Sequence, residues 1–554
     1  MIFLSCIIKL IVTNSFSYNK IKKIKGEEFM KKMKQFFTIC LTLALAVSLT
    51  ACGGSSDDSG EKVFRFGQSN PKVGLDMQTN TNSGASSVAD NVIESLMRWN
   101  DDNEEECVLI TDFPTVSEDG KTYSFELKKD VKFSDGSDLT SEDVKYTFER
   151  MFKINGTSTY MFDMIVGAKD LMEGNATELA GIKIVDDLHF DITLEYAFAP
   201  FIANMGMDYA AIYPKEACEK AGEDWGKGTN LIGTGPYVIV ENDEQTKVVM
   251  EPNENYHGGT PNLDRLEIVY IDDNNTKMME YEAGNIDMCD LNNSLLDQYQ
   301  DSDIKDEITQ ITPLGTYFLS IKNTDPALSN PKVREAISLA INRDELCKTV
   351  LNGAAEPASS FLNPGVPGHD DSLKPYEYNV SKAKKLLAEA GVTNLEFTAK
   401  VRANDEKVTT ALQAYLKEAG ITMNVEVIDS GVWSEARSSG TLQATMIGWF
   451  PLYADADNQM YTYYYSTNAV GKGVFYNNSE FDALMDEARQ TVNNDKKRVE
   501  LYKKADYILS RQDYGTIPLY YGKLQFVAKP YVKNAKLGNL IYHLYNIDID
   551  LDKK

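Results

Sequence analysis

The residue best placed to undergo chemistry in this 554-residue chain is Cys52. It ends the run Leu49-Thr50-Ala51-Cys52-Gly53-Gly54, behind a basic stretch, Met30-Lys31-Lys32-Met33-Lys34, and a mostly apolar one from Phe36 to Leu49. A basic start followed by a short apolar run is the pattern of an export signal. The run falls short of the roughly 20 apolar residues that span a bilayer. Its end resembles a lipobox, in which the cysteine sulfur receives a diacylglyceryl group before cleavage leaves Cys52 as the new N-terminus. Two or more acyl chains hold a protein on a membrane where one is marginal. Residues 30–51 are therefore expected to be a lipoprotein signal peptide, and 52–60, with the run GGSSDDSG, a flexible tether. Residues 1–29 fit neither. Lys25-Gly26-Glu27-Glu28 implies a purine-rich run resembling a ribosome-binding site, so translation is expected to start at Met30 or Met33, with 1–29 a mis-assigned upstream extension.

Little else in the chain has the spacing of a reactive site. Cys107, Cys218, Cys289 and Cys347 are far apart with no C-x-x-C. Three full pairings are open to them, or none, and buried free thiols are the preferred expectation. No H-E-x-x-H, G-x-S-x-G or P-loop occurs, and with 83 Asp and Glu, carboxylate pairs arise by chance, so no enzyme is expected. The four histidines, His189, His257, His369 and His543, are scattered, and no metal is expected. Gly233-x-Gly235 lacks the third glycine of a dinucleotide fingerprint, so no cofactor is expected. The net charge of −27, with residues 1–51 basic, makes the body strongly acidic. Such a body is repelled by phosphate backbones, which argues against nucleic acid as a partner. The acidity serves solubility or draws in cationic ligands. A surface adhesin predicts repeats, and none is legible.

The elements that would position a site follow from periodicity. Val63 to Gly67 reads as a strand, and Ser86 to Trp99 as a helix with Val88, Val92, Leu96 and Trp99 on one face. Tyr123 to Leu127 alternates as a strand, as does Val131 to Phe133. Asp135-Gly136 is a turn, and Thr140 caps a helix burying Val144, Phe148 and Met151. Further on, Asn330-Pro331 opens one helix and Ser381 another, stopped by Gly391. Strand Leu395 to Val401, helix Asp405 to Ala419, strand Ile421 to Val427, short helix Val432 to Arg437 and strand Gln443 to Trp449 complete a β-α-β-α-β run. That order predicts a parallel sheet. Ligands of such sheets sit beyond the carboxyl ends of the strands, which points to Gly448, Trp449 and the loop after them.

Several stretches over nearly all of 61–554 resemble the family 5 extracellular solute-binding proteins, the peptide and nickel group. Ser117-Glu118-Asp119-Gly120-Lys121-Thr122-Tyr123 through Asp135-Gly136 to Arg150 resembles the family's signature region. Gly233-Thr234-Gly235-Pro236-Tyr237, Asn253 to Gly259, Gly284-Asn285-Ile286-Asp287, Lys332 to Ile337, Ile341 to Asp344 and Gly448-Trp449 follow in order. Apart from the resemblance, Gly233, Gly235 and Pro236 read as shaping a loop between domains, and Arg334 and Asp344 as structural charges. The resemblance implies an α/β, two-lobed periplasmic-binding-protein-like fold (type II, with an extra domain). Lobe I would be 61–103, 230–324 and 521–554; the extra domain 104–229; lobe II 325–520. It further implies a monomeric substrate-binding lipoprotein of an ABC importer, at the cell surface on the outer face of the cytoplasmic membrane, or periplasmic, passing its cargo to permease subunits.

Relatives that bind peptides hold them between the lobes, through the backbone, as an added strand. Gly448-Trp449-Phe450 would offer the edge; Trp449 covers a ligand side chain or is a core aromatic at a strand end. In many peptide binders the third residue after this Trp is an Asp that pairs with the peptide's α-ammonium; here it is Leu452. Asp455 or Asp457 then substitutes for it, or serves as a solvated or capping carboxylate, the cargo having no free amine there. Ala456 also replaces a Pro frequent in this loop. Asn82 and Ser83 occupy the ligand-touching stretch of the facing lobe, and Tyr461, Tyr463, Tyr464 and Tyr465 line a pocket or pack on the lobe. The cargo is expected to be a short peptide, with an opine, oligosaccharide or metal complex as the alternative.

Overall fold

Strand Val63–Gln68 is buried at every position but Arg65, and such a two-sided apolar run belongs in the middle of a covered sheet. It lies parallel to Arg265–Tyr270 on one side and Met288–Leu291 on the other. Around these three a seven-stranded sheet is completed by Lys247–Pro252 and Tyr237–Asp243 at one edge and Leu524–Ala528 and Ile308–Ile311 at the other. The computed structural model describes residues 60–554 apart from 102, 452 and 536–541. The signal peptide, Cys52 and Leu452 lie outside the described residues.

A second sheet of six strands has the order Ala355–Pro357, Ile517–Gly522, Thr316–Ile321, Ala444–Trp449, Leu395–Val401, Ile421–Val427. The β-α-β-α-β run is as expected: Leu395–Val401 pairs parallel with Ile421–Val427 over seven residues, and with Ala444–Trp449 at Ala399↔Ala444. Helix Glu406–Glu418 covers the first crossover, burying Val408, Leu412 and Leu416, and ends where Gly420 takes φ +80°. Helix Pro331–Leu339 starts with its proline in the first turn, and the Asn330 side chain accepts from the Lys332 N–H.

One expected boundary moves. Thr316–Ile321 was placed in the first lobe by the 324/325 division, but it pairs antiparallel with Ala444–Trp449 along its whole length. The chain crosses from the first sheet to the second within 312–315. It returns at Lys523, between Ile517–Gly522 in the second sheet and Leu524–Ala528 in the first. Two short crossings are thus visible between the sheets.

Residues 104–229 contain a four-stranded antiparallel sheet in the order Thr115–Val116, Thr122–Glu126, His189–Thr193, Ile182–Ile184. Helix Ser141–Lys153 starts at the expected cap, Thr140, whose backbone N–H and hydroxyl donate to Asp143 Oδ2, and it buries Val144, Phe148 and Met151. One hydrophobic core runs from Tyr123 and Phe148 of this domain to Phe318, Tyr463 and Phe481 beside the second sheet.

The helix expected over Ser86 to Trp99 is shorter and earlier, Ser83–Ala89, followed by turns and a strand at Met97–Trp99. Val88, Val92, Leu96 and Trp99 are all buried, so their apolar spacing marks burial rather than one helical face. Backbone carbonyls past the helix serve other segments: Asn91 O accepts from Tyr237 N, Val92 O from Gly235 N, Glu94 O from Ile212 N and Leu96 O from Val108 N. Gly233 and Gly235 permit this approach, since a Cβ there would sit 2.2 and 2.7 Å from the Val92 carbonyl oxygen. Cys107, Cys218, Cys289 and Cys347 are free thiols.

A candidate ligand cleft at the carboxyl end of the second sheet

Strand Ala444–Trp449 is buried through Ile447 and only half-buried at Gly448 and Trp449, where it reaches a cavity of about 1000 Å³. Its partner Thr316–Ile321 accompanies it on one side throughout, while its ladder to Leu395–Val401 stops at Ala444. Gly448 must lack a side chain: it faces Tyr317, and a Cβ would lie 2.6 Å from that ring. Tyr317 in turn stacks on Tyr520 at 4.7 Å and meets Phe450 edge-on at 5.5 Å. Phe450 is 42% exposed. Gly448, Trp449 and Phe450 all line the cavity.

Trp449 packs into the core on one side and lines the cavity on the other. One side of the indole packs edge-on against Tyr463 at 5.4 Å, and the Lys472 ammonium sits 5.1 Å from its ring centroid on the cavity wall. Of the tyrosine run, Tyr463 and Tyr464 are fully buried in the core, while Tyr461 lines the cavity with the Arg489 guanidinium 3.4 Å from its centroid. The far wall comes from residues 104–229: Tyr160, Met161, Asp163, Met164, Tyr196 and Phe198. Nothing local in the sequence singles these out, because they reach the cavity only when the extra domain packs on the second lobe.

The expectation for Asp455 needs correction. Its carboxylate is the N-cap of helix Ala456–Tyr464, accepting from Asp457 N at 2.9 Å, and it pairs with Arg498 at 2.5 Å. The side chain is 2% exposed and lies outside the cavity lining. The physical reason is the Asp-Ala-Asp run at a helix start, where the first carboxylate is drawn to the free backbone N–H groups. Asp457 does face the cavity, in an ion pair with Arg489 at 3.0 Å and accepting from the Tyr453 hydroxyl at 3.3 Å. Burial pushes its carboxyl up to about 6 against the pull of Arg489.

Asn82 and Ser83 lie in a separate hollow of about 430 Å³ beyond the carboxyl ends of Val63–Gln68 and Met288–Leu291. The Asn82 side-chain Oδ1 caps its own helix, accepting from Gly84 N and Ala85 N. The two sets of expected site residues therefore occupy two hollows, one at the carboxyl end of each large sheet. A third crevice of about 1000 Å³ separates the first lobe from the extra domain; its charges include the Asp76–Arg150 pair at 2.6 Å and the Lys145–Glu178 pair at 2.8 Å. Arg334, read as structural, is buried and donates to the carbonyls of Leu328, Ser329, Asp513 and Tyr514; Asp344 is exposed. Among the described residues no group of three His, Cys, Asp or Glu could hold a metal, and no helix is long and apolar enough to cross a membrane.

The chain is 29% identical over 421 residues to heme-binding protein A of Haemophilus influenzae, covering 72% of this chain and 76% of that one. To the dipeptide-binding protein of Escherichia coli it is 28% identical over 426 residues, covering 72% and 77%. Among solved structures, the unliganded open form of the periplasmic murein tripeptide-binding protein MppA superposes with a TM-score of 0.80 at 22% identity, over 88% of this chain and 98% of that one. Residues 106–471 match the family model described as bacterial extracellular solute-binding proteins, family 5, middle. The chain belongs to that family of extracellular solute-binding proteins.

Proposed function

We propose that this protein captures short peptides between two lobes and delivers them to the permease of an ABC importer. The observation that carries the reading is the half-open end of strand Ala444–Trp449: a backbone edge unpaired beyond Ala444 on one side, opening on a cavity of about 1000 Å³ walled by Trp449, Phe450, Tyr160 and Tyr196. A peptide pairs with such an edge through its main chain, which gives affinity without demanding a sequence, and the rings cover its side chains. The names of the dipeptide- and tripeptide-binding relatives favour the same cargo.

In this reading the seven-stranded sheet is one lobe, the six-stranded sheet the other, and the domain within 104–229 an extension of the second lobe's wall. The crossings at 312–315 and Lys523 form the hinge. Closure brings Asn82 and Ser83 onto a ligand lying against Gly448, Trp449 and Phe450. A ligand drives closure only by its preference for the closed form. Cys52 anchors the mature protein to the outer face of the membrane, and a monomer suffices for capture.

The test is to titrate the purified mature protein with di- to tetrapeptides while following the melting temperature and small-angle scattering. Binding adds RT ln(1 + [L]/Kd), about 2.7 kcal/mol at a hundredfold excess over Kd. A raised melting temperature with a smaller radius of gyration is expected. If no peptide of any length moves either quantity, the peptide cargo is discarded.

A further inference from the structure

The charges facing the cleft do not balance. Arg489 is neutralised by Asp457 at 3.0 Å. Lys472 has no such partner: its ammonium lies 5.1 Å from the Trp449 ring, and no carboxylate among the described residues is within ion-pair reach. This is notable in a chain with 83 acidic residues against 56 basic ones. Behind it, the Arg437 guanidinium lies 5.4 Å from both the Tyr463 and Trp433 rings, again without a carboxylate. The indole N–H of Trp449 also lacks a partner among the described residues. Burial, with Arg437 adding to it, holds the Lys472 ammonium below the usual lysine value. A half-desolvated cation left without a counter-charge is unfavourable, and a ligand anion arriving there relieves it.

The opposite end of a peptide has no comparable anchor on this lobe. Asp455 is committed to its helix cap and Arg498, and the position three after Trp449 is Leu452. Asp163, on the wall supplied by residues 104–229, has a carboxyl without a hydrogen-bond or ion-pair partner among the described residues, and burial raises it against the pull of Arg489. The cavity is therefore electropositive beside Trp449 and electronegative on the extra-domain wall.

We propose that Lys472, seated against the Trp449 ring, is the anion clamp of the cleft and takes the C-terminal carboxylate of the bound peptide. The proposal rests on the peptide-binding reading and adds to it the end of the peptide that is gripped. Arg437 raises the local positive potential without touching the ligand.

The experiment compares three probe sets on the wild type, Lys472→Met and Lys472→Arg: di- to tetrapeptides of Ala, Leu and Phe as free acids, the same peptides as C-terminal amides, and non-peptide carboxylates (2-oxo acids and sugar acids). Affinities come from thermal shift and calorimetry, and the ligand-free melting temperature of each variant checks folding. Expected is tenfold or greater preference of the wild type for the free acid, loss of that preference in Lys472→Met and its recovery in Lys472→Arg. Equal binding of acid and amide by the wild type overturns the clamp and leaves peptide capture standing. Binding of non-peptide carboxylates alone, lost in Lys472→Met, keeps the clamp and discards the peptide. A preference for the acid that survives in Lys472→Met overturns the assignment to this residue, and no binding by any set overturns both.

Discussion

Asp455 and Asp457 stand two positions apart and do different work. The first spends both oxygens on backbone and guanidinium, capping helix Ala456–Tyr464 and pairing with Arg498 at 2% exposure. The second shows one face to the cleft and titrates near 6 because burial outweighs its pairing with Arg489. Removing the charge of Asp455 while keeping its cap isolates the ion pair: Asp455→Asn leaves the buried Arg498 only the exposed Asp495, 4.0 Å away, as counter-charge, and the loss approaches that of a broken buried pair, about 3–5 kcal/mol. Urea denaturation should report that loss, while affinity for free and N-acetylated peptides changes less than twofold. A selective loss of affinity for free peptides would return Asp455 to the binding site. Lys472 and Trp449 carry the opposite expectation, with binding altered and stability little changed.

At the scale of elements, the edge proposed for peptide binding arises because Ala444–Trp449 runs on past its parallel neighbour while Thr316–Ile321 keeps pace with it. Gly448 lets Tyr317 lie flat against that edge, and Tyr317 in turn props Phe450 at the cavity rim. The segment Gly233 to Tyr237 plays the matching structural part in the first lobe, threading against the turn after helix Ser83–Ala89 and tying it to the sheet. A methyl group at Gly235 would sit 2.7 Å from the Val92 carbonyl, backbone against backbone, with no flexible atom to yield. Gly235→Ala is expected to cost about 1–3 kcal/mol in chemical denaturation. Asn82 and Ser83 lie at the other end of the helix that this turn follows, so the hollow there should change less than the stability does. A change under about 0.5 kcal/mol, the size of an ordinary surface substitution, would mean the close approach is dispensable.

For the whole molecule, two short crossings join the large sheets, and one core is shared by residues 104–229 and the second sheet's side, which is the arrangement the proposed swing of one lobe on the other requires. A clamp of this kind works best held near its permease, which is the role given to Cys52 and the tether behind it. In the proposed function that sulfur accepts the diacylglyceryl group, and replacing it removes the acceptor. Cys52→Ser should therefore release the protein from the membrane fraction into the medium or periplasm, read by fractionation and immunoblot, with peptide affinity unchanged. Unaltered membrane retention would mean that something other than this thiol anchors the chain.

The sequence by itself determined whatever depends on neighbours along the chain. The alternating strand Leu395–Val401, the helix stopped at Gly420, the helix cap at Thr140 and the parallel run that directs attention to Gly448 and Trp449 all follow from periodicity and caps along short stretches of chain. The motif order also carried the two-lobed α/β architecture. Tertiary structure decided the rest. The helix at Ser83–Ala89 ends early because distant segments claim the carbonyls beyond it. Thr316–Ile321 joins the second sheet because its partner strand lies more than a hundred residues away. The far wall of the cleft, with Tyr160 and Asp163, and the missing counter-charge at Lys472 emerge only when residues 104–229 pack beside the second sheet around a shared core, because pairing and desolvation depend on which groups come together in space.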